Sequence, residues 1–289
     1  MNKKYRRIYI EITNVCNLSC SFCPIDQRAK DVMELKEFEK IISQAAPLAE
    51  QVCLHLMGEP LAHPQFKEIL STCENYDSKA QITTNGILLK RHKETLLSSN
   101  AVRQINVSLQ SYMDNFPHKN FMEYLDKVYA FIEDARAIRP DLYLNLRLWN
   151  FGDSGDEKND AVFEYLENKL NTQINRKVEV GAVKSKKIAE KLYLHFDSRF
   201  EWPRMELPVQ GEKGRCNGLK DHLAIHADGT VVPCCLDDQK ISNLGNCLET
   251  SLEEVIESDR SVRIKEGFSK GVLVEDLCKR CSYINRFKK

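Results

Sequence analysis

From residue 7 to about 183, short β-branched or aromatic runs alternate with segments of helical period, and no other feature of the chain restricts its fold as much. Repeated βα units of this kind pair their strands in parallel and lay their helices over the sheet. Six runs read as strands: Arg7 to Thr13, Val52 to Met57, Ala80 to Thr84, Gln104 to Leu109, Leu142 to Trp149 and Val178 to Ala182. Five helical stretches lie between them. In the clearest, about Asn120 to Ile138, Phe121, Leu125, Val128, Phe131, Ile132 and Ala135 recur at spacings of three and four, and Pro140 ends the stripe. Leu35, Phe38, Ile41, Ile42 and Ala45 mark a similar stripe on the first helix, and Val162, Tyr165, Leu166 and Leu170 on the fifth. These stripes are core.

The alternation stops after Ala182. A Lys-rich stretch, Lys184 to Lys191, leads through Tyr193 to Trp202 into a loop with Pro203, Pro208, Gly211 and Gly214. The chain therefore divides into a βα unit over residues 1–183, a bridging region over 184–214 and a small C-terminal unit over 215–289. In the last of these, Leu223 to Ala227 and Thr230 to Pro233 flank Asp228-Gly229, the signature of a hairpin, and a helix is expected from about Ser251 to Lys265.

A chain of 289 residues buries a substantial core without disulfide staples. The basic start, Met1 to Arg7, runs into Glu11, Asn14 and Asn17, so it is no signal peptide, and no run of roughly 18 apolar residues exists to span a bilayer. The expected location is cytoplasmic, with no membrane partner. Disulfides are rare there, so eleven cysteines point to metal ligands plus a few buried apolar thiols. Lys and Arg number 42, as do Asp and Glu, which argues against a nucleic-acid partner held mainly through its phosphates. The basic stretches Lys3 to Arg7, Lys184 to Lys191 and Arg286 to Lys289 read as solvated surface and leave RNA or a nucleotide as an alternative substrate class.

Directly after the first strand, Cys16, Cys20 and Cys23 form C-x3-C-x2-C in the irregular loop Asn14 to Pro24. Three thiolates so close together can converge on one metal centre, and thiolates select soft sites, chiefly zinc and iron–sulfur clusters. Spacing alone leaves two alternatives, a structural zinc site lacking a nearby ligand and three unrelated thiols.

In this position the motif Cys16-Asn17-Leu18-Ser19-Cys20-Ser21-Phe22-Cys23 resembles that of the radical S-adenosylmethionine (radical SAM) enzymes, α/β proteins built on a partial (β/α)6 barrel of the TIM type. The resemblance implies that the three cysteines hold a [4Fe–4S] cluster whose remaining iron is chelated by SAM. It also implies that an electron donor such as flavodoxin or ferredoxin drives cleavage of SAM to methionine and a 5′-deoxyadenosyl radical. Met57-Gly58-Glu59-Pro60 is similar to the family's Gly-Gly-Glu-Pro, whose backbone meets the SAM amino group, with Met57 in place of the first Gly. Thr84-Asn85-Gly86-Ile87-Leu88 is similar to the family's TNG-x-L turn, Ser108 stands where a serine commonly lies near SAM, and by analogy Arg147 pairs with the SAM carboxylate. Taken singly, Asn85-Gly86 is equally an ordinary turn and Arg147 a surface ion pair. Their shared placement at the carboxyl ends of successive strands is where barrel sites form. The resemblance covers Ile8 to about Ala182.

Four more cysteines, Cys216, Cys234, Cys278 and Cys281, suit a closed site. Cys216-x12-Gly229-x4-Cys234 followed by C-x2-C resembles the start of the SPASM domain and the whole of the shorter twitch domain, which bind auxiliary [4Fe–4S] clusters. With no cysteine after Cys281, one auxiliary cluster is implied. A zinc ribbon uses the same ligands, and Cys235 is an alternative to Cys234 that the family spacing disfavours. Cys53, Cys73 and Cys247 read as small buried hydrophobes.

Enzymes with such domains modify peptides, proteins, aminoglycosides and cofactor precursors, so the expected reaction is oxidation or other modification of a peptide or small molecule by hydrogen abstraction. The motif begins at residue 16, so no leader-peptide-binding domain is expected before it. The alternative is a non-catalytic iron–sulfur or zinc protein on the same barrel. His55 and His63 flank the Glu59 loop as possible substrate contacts or as ordinary structural residues, and Asp153 and Asp156 are candidate bases no stronger than other loop carboxylates.

Overall fold

The computed structural model describes residues 3–152, 158–178 and 184–287. The first part of the chain supplies β1 (Tyr5–Ile10), α1 (Leu35–Ala45), β2 (Ala49–Cys53), α2 (Phe66–Asn75), β3 (Ala80–Thr84), α3 (Leu89–Ser98), β4 (Val102–Ser108), α4 (Leu109–Asn115), α5 (Phe121–Ile138), β5 (Tyr143–Leu148) and α6 (Lys158–Leu170). After it come β6 (Ser185–Ala189), β7 (Leu192–Phe196), β8 (His222–Ile225), β9 (Thr230–Val232), β10 (Gly245–Asn246), α7 (Leu252–Glu257), α8 (Asp259–Lys270) and α9 (Asp276–Lys279).

These strands form one open sheet in the order β10-β9-β8-β1-β2-β3-β4-β5-β7-β6. From β1 through β5 to β7 every neighbour is parallel, which gives an incomplete α/β barrel. The sixth parallel strand is thus Leu192–Phe196, within the stretch expected to bridge. Val178, the described part of the strand expected at Val178 to Ala182, lies in no strand, and the rest is outside the described residues. At the opposite edge β8 runs parallel to β1, with Ile8 opposite Leu223, so the C-terminal residues extend the barrel sheet. The hairpin forms as expected, pairing Ile225 with Val231. The helix expected over Ser251 to Lys265 is two helices, because Ser258 is extended (ψ 152°) and its side chain instead accepts the Ser261 N–H to start α8.

Strand alternation determines which side chains reach the site. On β1, Ile8 and Ile10 are buried in the apolar core, whereas Arg7 and Tyr9 line the barrel interior. The same parity puts Leu144, Leu146 and Leu148 of β5 in the core and turns Asn145 and Arg147 inward. Each buried aliphatic side chain contributes about 1.5–3 kcal/mol. The inner face is polar: Asn145 donates to the Asn106 amide oxygen at 2.8 Å, and Asn106 donates to the Thr83 hydroxyl at 3.0 Å. A barrel with such an interior has room for a polar ligand.

One buried ionic network ties the C-terminal hairpin to the barrel. Glu11, just past β1 and fully buried, accepts two N–H groups of Arg28 at 2.7 and 2.8 Å and the backbone N–H groups of Met57 and Ala227 at 3.2 Å. Arg28 also reaches Asp26 at 2.9 Å, and His226 lies between Arg28 and the Asp237 carbonyl, at 2.7 and 2.9 Å. Burial alone would raise the Glu11 pKa, but Arg28 and His226 hold it down to about 2.

Candidate active site

A cavity of about 520 Å³ opens at the carboxyl ends of the parallel strands. All the residues expected at the site line it: Cys16, Cys20 and Cys23; Gly58, Glu59, Asn85, Ser108 and Arg147, with Asn85 at the turn after β3; and Cys216, Cys234, Cys278 and Cys281. The two thiol sets therefore face a single space, although almost two hundred residues of chain separate Cys23 from Cys216.

The end of α4 pins the first loop. Asp114 accepts from the Ser21 N–H and hydroxyl at 2.6 and 2.5 Å, and Asn115 accepts the Ser19 N–H at 2.9 Å. Asn115 also donates to the Cys20 sulfur at 3.0 Å. Hydrogen bonds from Cys23, Ser111 and Asn115, opposed by burial, lower the Cys20 pKa to about 7, which prepares this thiol to lose its proton to a metal. Burial raises Cys16, and the bond to Cys20 together with burial raises Cys23.

Gly58 and Glu59 lie against the base of that loop. The Glu59 N–H donates to the Val15 carbonyl at 2.9 Å, and a Cβ on Gly58 would stand 2.4 Å from the Thr13 carbonyl oxygen at a φ of +74°. Only glycine fits there. Gly58→Ala is expected to cost about 3 kcal/mol, read as a lower urea midpoint at unchanged m-value, because the clash is with backbone and cannot relax by a rotamer change. An unchanged midpoint would show that the strand end gives way freely.

Glu59 is buried and accepts the Asn85 N–H at 2.8 Å and the Leu61 N–H at 3.2 Å. Burial outweighs these bonds and lifts its pKa to about 7. Asn85 in turn donates to Asn17 at 2.7 Å, within the cysteine motif, and its carbonyl accepts the Tyr124 hydroxyl at 2.8 Å. Ser108 makes no cap to α4 and lines the cavity, while the Arg147 guanidinium stacks 4.6 Å from the Trp149 ring centre.

The second thiol set is mutually close. Burial first, and then the neighbouring thiols, raise Cys216, Cys278 and Cys281; Cys234 is among the neighbours of each. Cys235 hydrogen-bonds Cys234 and also acts electrostatically on Tyr9, Arg147 and Tyr283. Among the described residues no three Cys, His, Asp or Glu side chains already converge as ligands of one metal ion. Thiolate donors select soft centres, zinc and iron–sulfur clusters among them.

Cys53, Cys73 and Cys247 are buried apolar thiols, as expected. His63 is structural, with Nε2 3.0 Å from the Met33 carbonyl and Nδ1 accepting the Gln65 N–H, whereas His55 lines the cavity edge-on to Tyr9. Asp153 and Asp156 lie outside the described residues. Sequence reasoning missed Arg7, Tyr9 and His222 in the cavity wall and placed Arg7 on solvated surface. Strand parity was the available signal, since Arg7 alternates with the buried Ile8.

A family model of the radical SAM superfamily matches residues 10–158, about half of the chain, and one of an iron–sulfur cluster-binding domain, SPASM, matches 216–282. A GTP 3′,8-cyclase of Synechocystis sp. is 33% identical over 114 residues, 38% of this chain and 35% of the relative. One of Staphylococcus haemolyticus is 32% identical over 126 residues, 40% of this chain and 36% of the relative. The chain thus spans about a third of the length of the curated relatives it matches. Among solved structures, BtrN in complex with AdoMet and 2-DOIA superposes with a TM-score of 0.60 at 18% identity, covering 98% of this chain and 94% of BtrN. Streptococcus suis SuiB bound to S-adenosylmethionine gives 0.64 at 19%, covering 99% of this chain and 74% of SuiB. At such identities the superpositions speak for the fold. With the family model spanning the barrel and the cysteine motif at its mouth, the chain belongs to the radical SAM superfamily and carries a SPASM iron–sulfur domain behind its barrel.

Proposed function

We propose that Cys16, Cys20 and Cys23 hold a [4Fe–4S] cluster completed by SAM, that Cys216, Cys234, Cys278 and Cys281 hold one auxiliary [4Fe–4S] cluster, and that a small-molecule substrate binds between them. The observation that carries this reading is the opening of both thiol sets into one cavity. When bound, the first cluster and SAM supply a 5′-deoxyadenosyl radical able to remove a substrate hydrogen atom, an electron coming from a donor such as flavodoxin or ferredoxin. The protein's part is positioning and shelter. Gly58 and Glu59 present the SAM amino group with backbone and a carboxyl acceptor, while Asn85 and Ser108 complete that rim. Phe22, Phe200 and Trp202 give the cavity an apolar wall.

Residues 1–183 and 215–289 then act as catalytic and auxiliary units, and the bridge 184–214 supplies β7. The similarity to GTP 3′,8-cyclases supports a nucleotide among small-molecule substrates, with hydrogen abstraction followed by rearrangement or oxidation. Cys278→Ala with Cys281→Ala is expected to lower iron from about eight to about four per chain and leave SAM cleavage in place. Zinc in the second site, or SAM cleavage lost with it, would contradict the proposal.

A further inference from the structure

Two adjacent side chains at the end of α4 hold the two loop residues that flank Cys20. Asp114 accepts from the Ser21 N–H and hydroxyl, and Asn115 accepts the Ser19 N–H at 2.9 Å. The helix ends at Asn115, with Phe116 outside helical geometry (φ −131°, ψ 57°). Because the Ser19 N–H can only donate, the Asn115 oxygen faces it, and that fixes the amide nitrogen on the other side. There the nitrogen donates to the Ser111 carbonyl at 2.9 Å and to the Cys20 sulfur at 3.0 Å. The amide cannot turn over without setting its oxygen against both of these acceptors.

A donor aimed at a ligand sulfur acts on the electronics of the centre as well as on its place. Reduction adds negative charge to a centre already ringed by thiolates, and an N–H dipole pointing at one sulfur lowers the energy of that added charge. Asp114 works the other way, as a carboxylate bound to the same loop, and Arg199 at 3.4 Å offsets part of its charge. An aspartate at 115 would set a second carboxylate against the sulfur. At the four-thiol set the backbone supplies such bonds, from the Gly218 N–H to Cys216 and the Leu236 N–H to Cys234, each at 3.4 Å. Those two donors persist whatever the side chain, whereas the bond from Asn115 is removed by one substitution.

We propose that Asn115 is a positioning residue that raises the reduction potential of the first cluster by donating its amide N–H to the Cys20 thiolate. This rests on the proposed function in that Cys20 is a ligand of that cluster. The step it assists is the arrival of one electron from the donor protein. Asn115 keeps its proton throughout, and no covalent bond forms or breaks at its amide. Its oxygen meanwhile holds Ser19, so a single side chain both places the cysteine motif and makes it easier to reduce.

The test is a potentiometric titration of the full-length, anaerobically reconstituted protein, followed by electron paramagnetic resonance with and without SAM. The signal that changes on SAM addition belongs to the first cluster, and the unchanged one is an internal reference. Asn115→Asp keeps an oxygen for the Ser19 N–H and loses the donor, while Asn115→Leu loses both. Each is expected to lower the reduced-to-oxidised ratio of the first cluster about tenfold at a fixed potential, a fall of about 59 mV for a one-electron couple, and to move the auxiliary cluster by less than about twofold. SAM cleavage driven by a weak reductant should fall in step and recover with a stronger one. Iron content and circular dichroism show that each variant is folded and loaded. The proposal is overturned if a loaded variant keeps the wild-type potential or exceeds it, or if both variants fold but lose the first cluster, which would leave Asn115 a purely structural role. Either result, with a SAM-sensitive cluster in the wild type, leaves the proposed function standing. A wild type with no SAM-sensitive cluster removes the proposed function and this inference together.

Discussion

Alanine at Cys16, Cys20 and Cys23 together is expected to abolish SAM cleavage, remove about half of the iron and leave the fold in place. Cys16 and Cys23 are exposed and Cys20 is half-exposed, all in a loop outside the core, so their loss opens no cavity in the packing. The loop remains tied to α4 through Asp114 and Asn115 by bonds that do not involve sulfur. What disappears is the thiolate set that would hold the metal centre. Iron content, product chromatography and circular dichroism separate the three expectations. A triple variant that still forms 5′-deoxyadenosine would place SAM cleavage elsewhere.

Arg28→Met destabilises the protein by about 3–5 kcal/mol, the usual consequence of removing one partner from a buried ion pair. Glu11 is then left buried with only His226 and two backbone N–H groups near it. The pH dependence has a definite sign. The Glu11 carboxyl titrates at about 2 when folded against 4.5 in an unperturbed group, so its contribution is complete above about pH 4.5 and is lost as pH falls toward 2. Urea unfolding of wild type and variant across this window should show the wild type losing more stability on acidification. A cost under about 1 kcal/mol with parallel pH curves would mean that the network does not hold the hairpin to the barrel. Arg28 lies five residues past Cys23, so the variant should also weaken retention of the first cluster.

How much of this was legible in the sequence follows from the range of each interaction. Local patterns carried the helix stripes, the Asp228-Gly229 turn and the two cysteine sets, because periodicity, turn chemistry and ligand spacing act over a few residues. The sixth strand was misplaced because Lys184 to Lys191 looks like polar surface, while Leu192–Phe196 is recruited by pairing with β5, nearly fifty residues away. The break at Ser258 was missed because the apolar period continues from α7 into α8, and only the serine's choice of the Ser261 N–H ends the first helix. Arg7 was misread for a related reason: an inward arginine in a barrel whose strands are covered on both faces is spelled the same way as a solvated one. Nor does spacing reveal the Glu11, Arg28 and His226 network, which joins three segments far apart in the chain.

The central claim is that the three-cysteine loop and the four-cysteine domain serve one chemical event. Anaerobic reconstitution with iron and sulfide, followed by SAM and a low-potential reductant, tests it most directly. The account predicts about eight irons per chain as two [4Fe–4S] clusters and formation of 5′-deoxyadenosine and methionine. Two intact clusters without 5′-deoxyadenosine would contradict it.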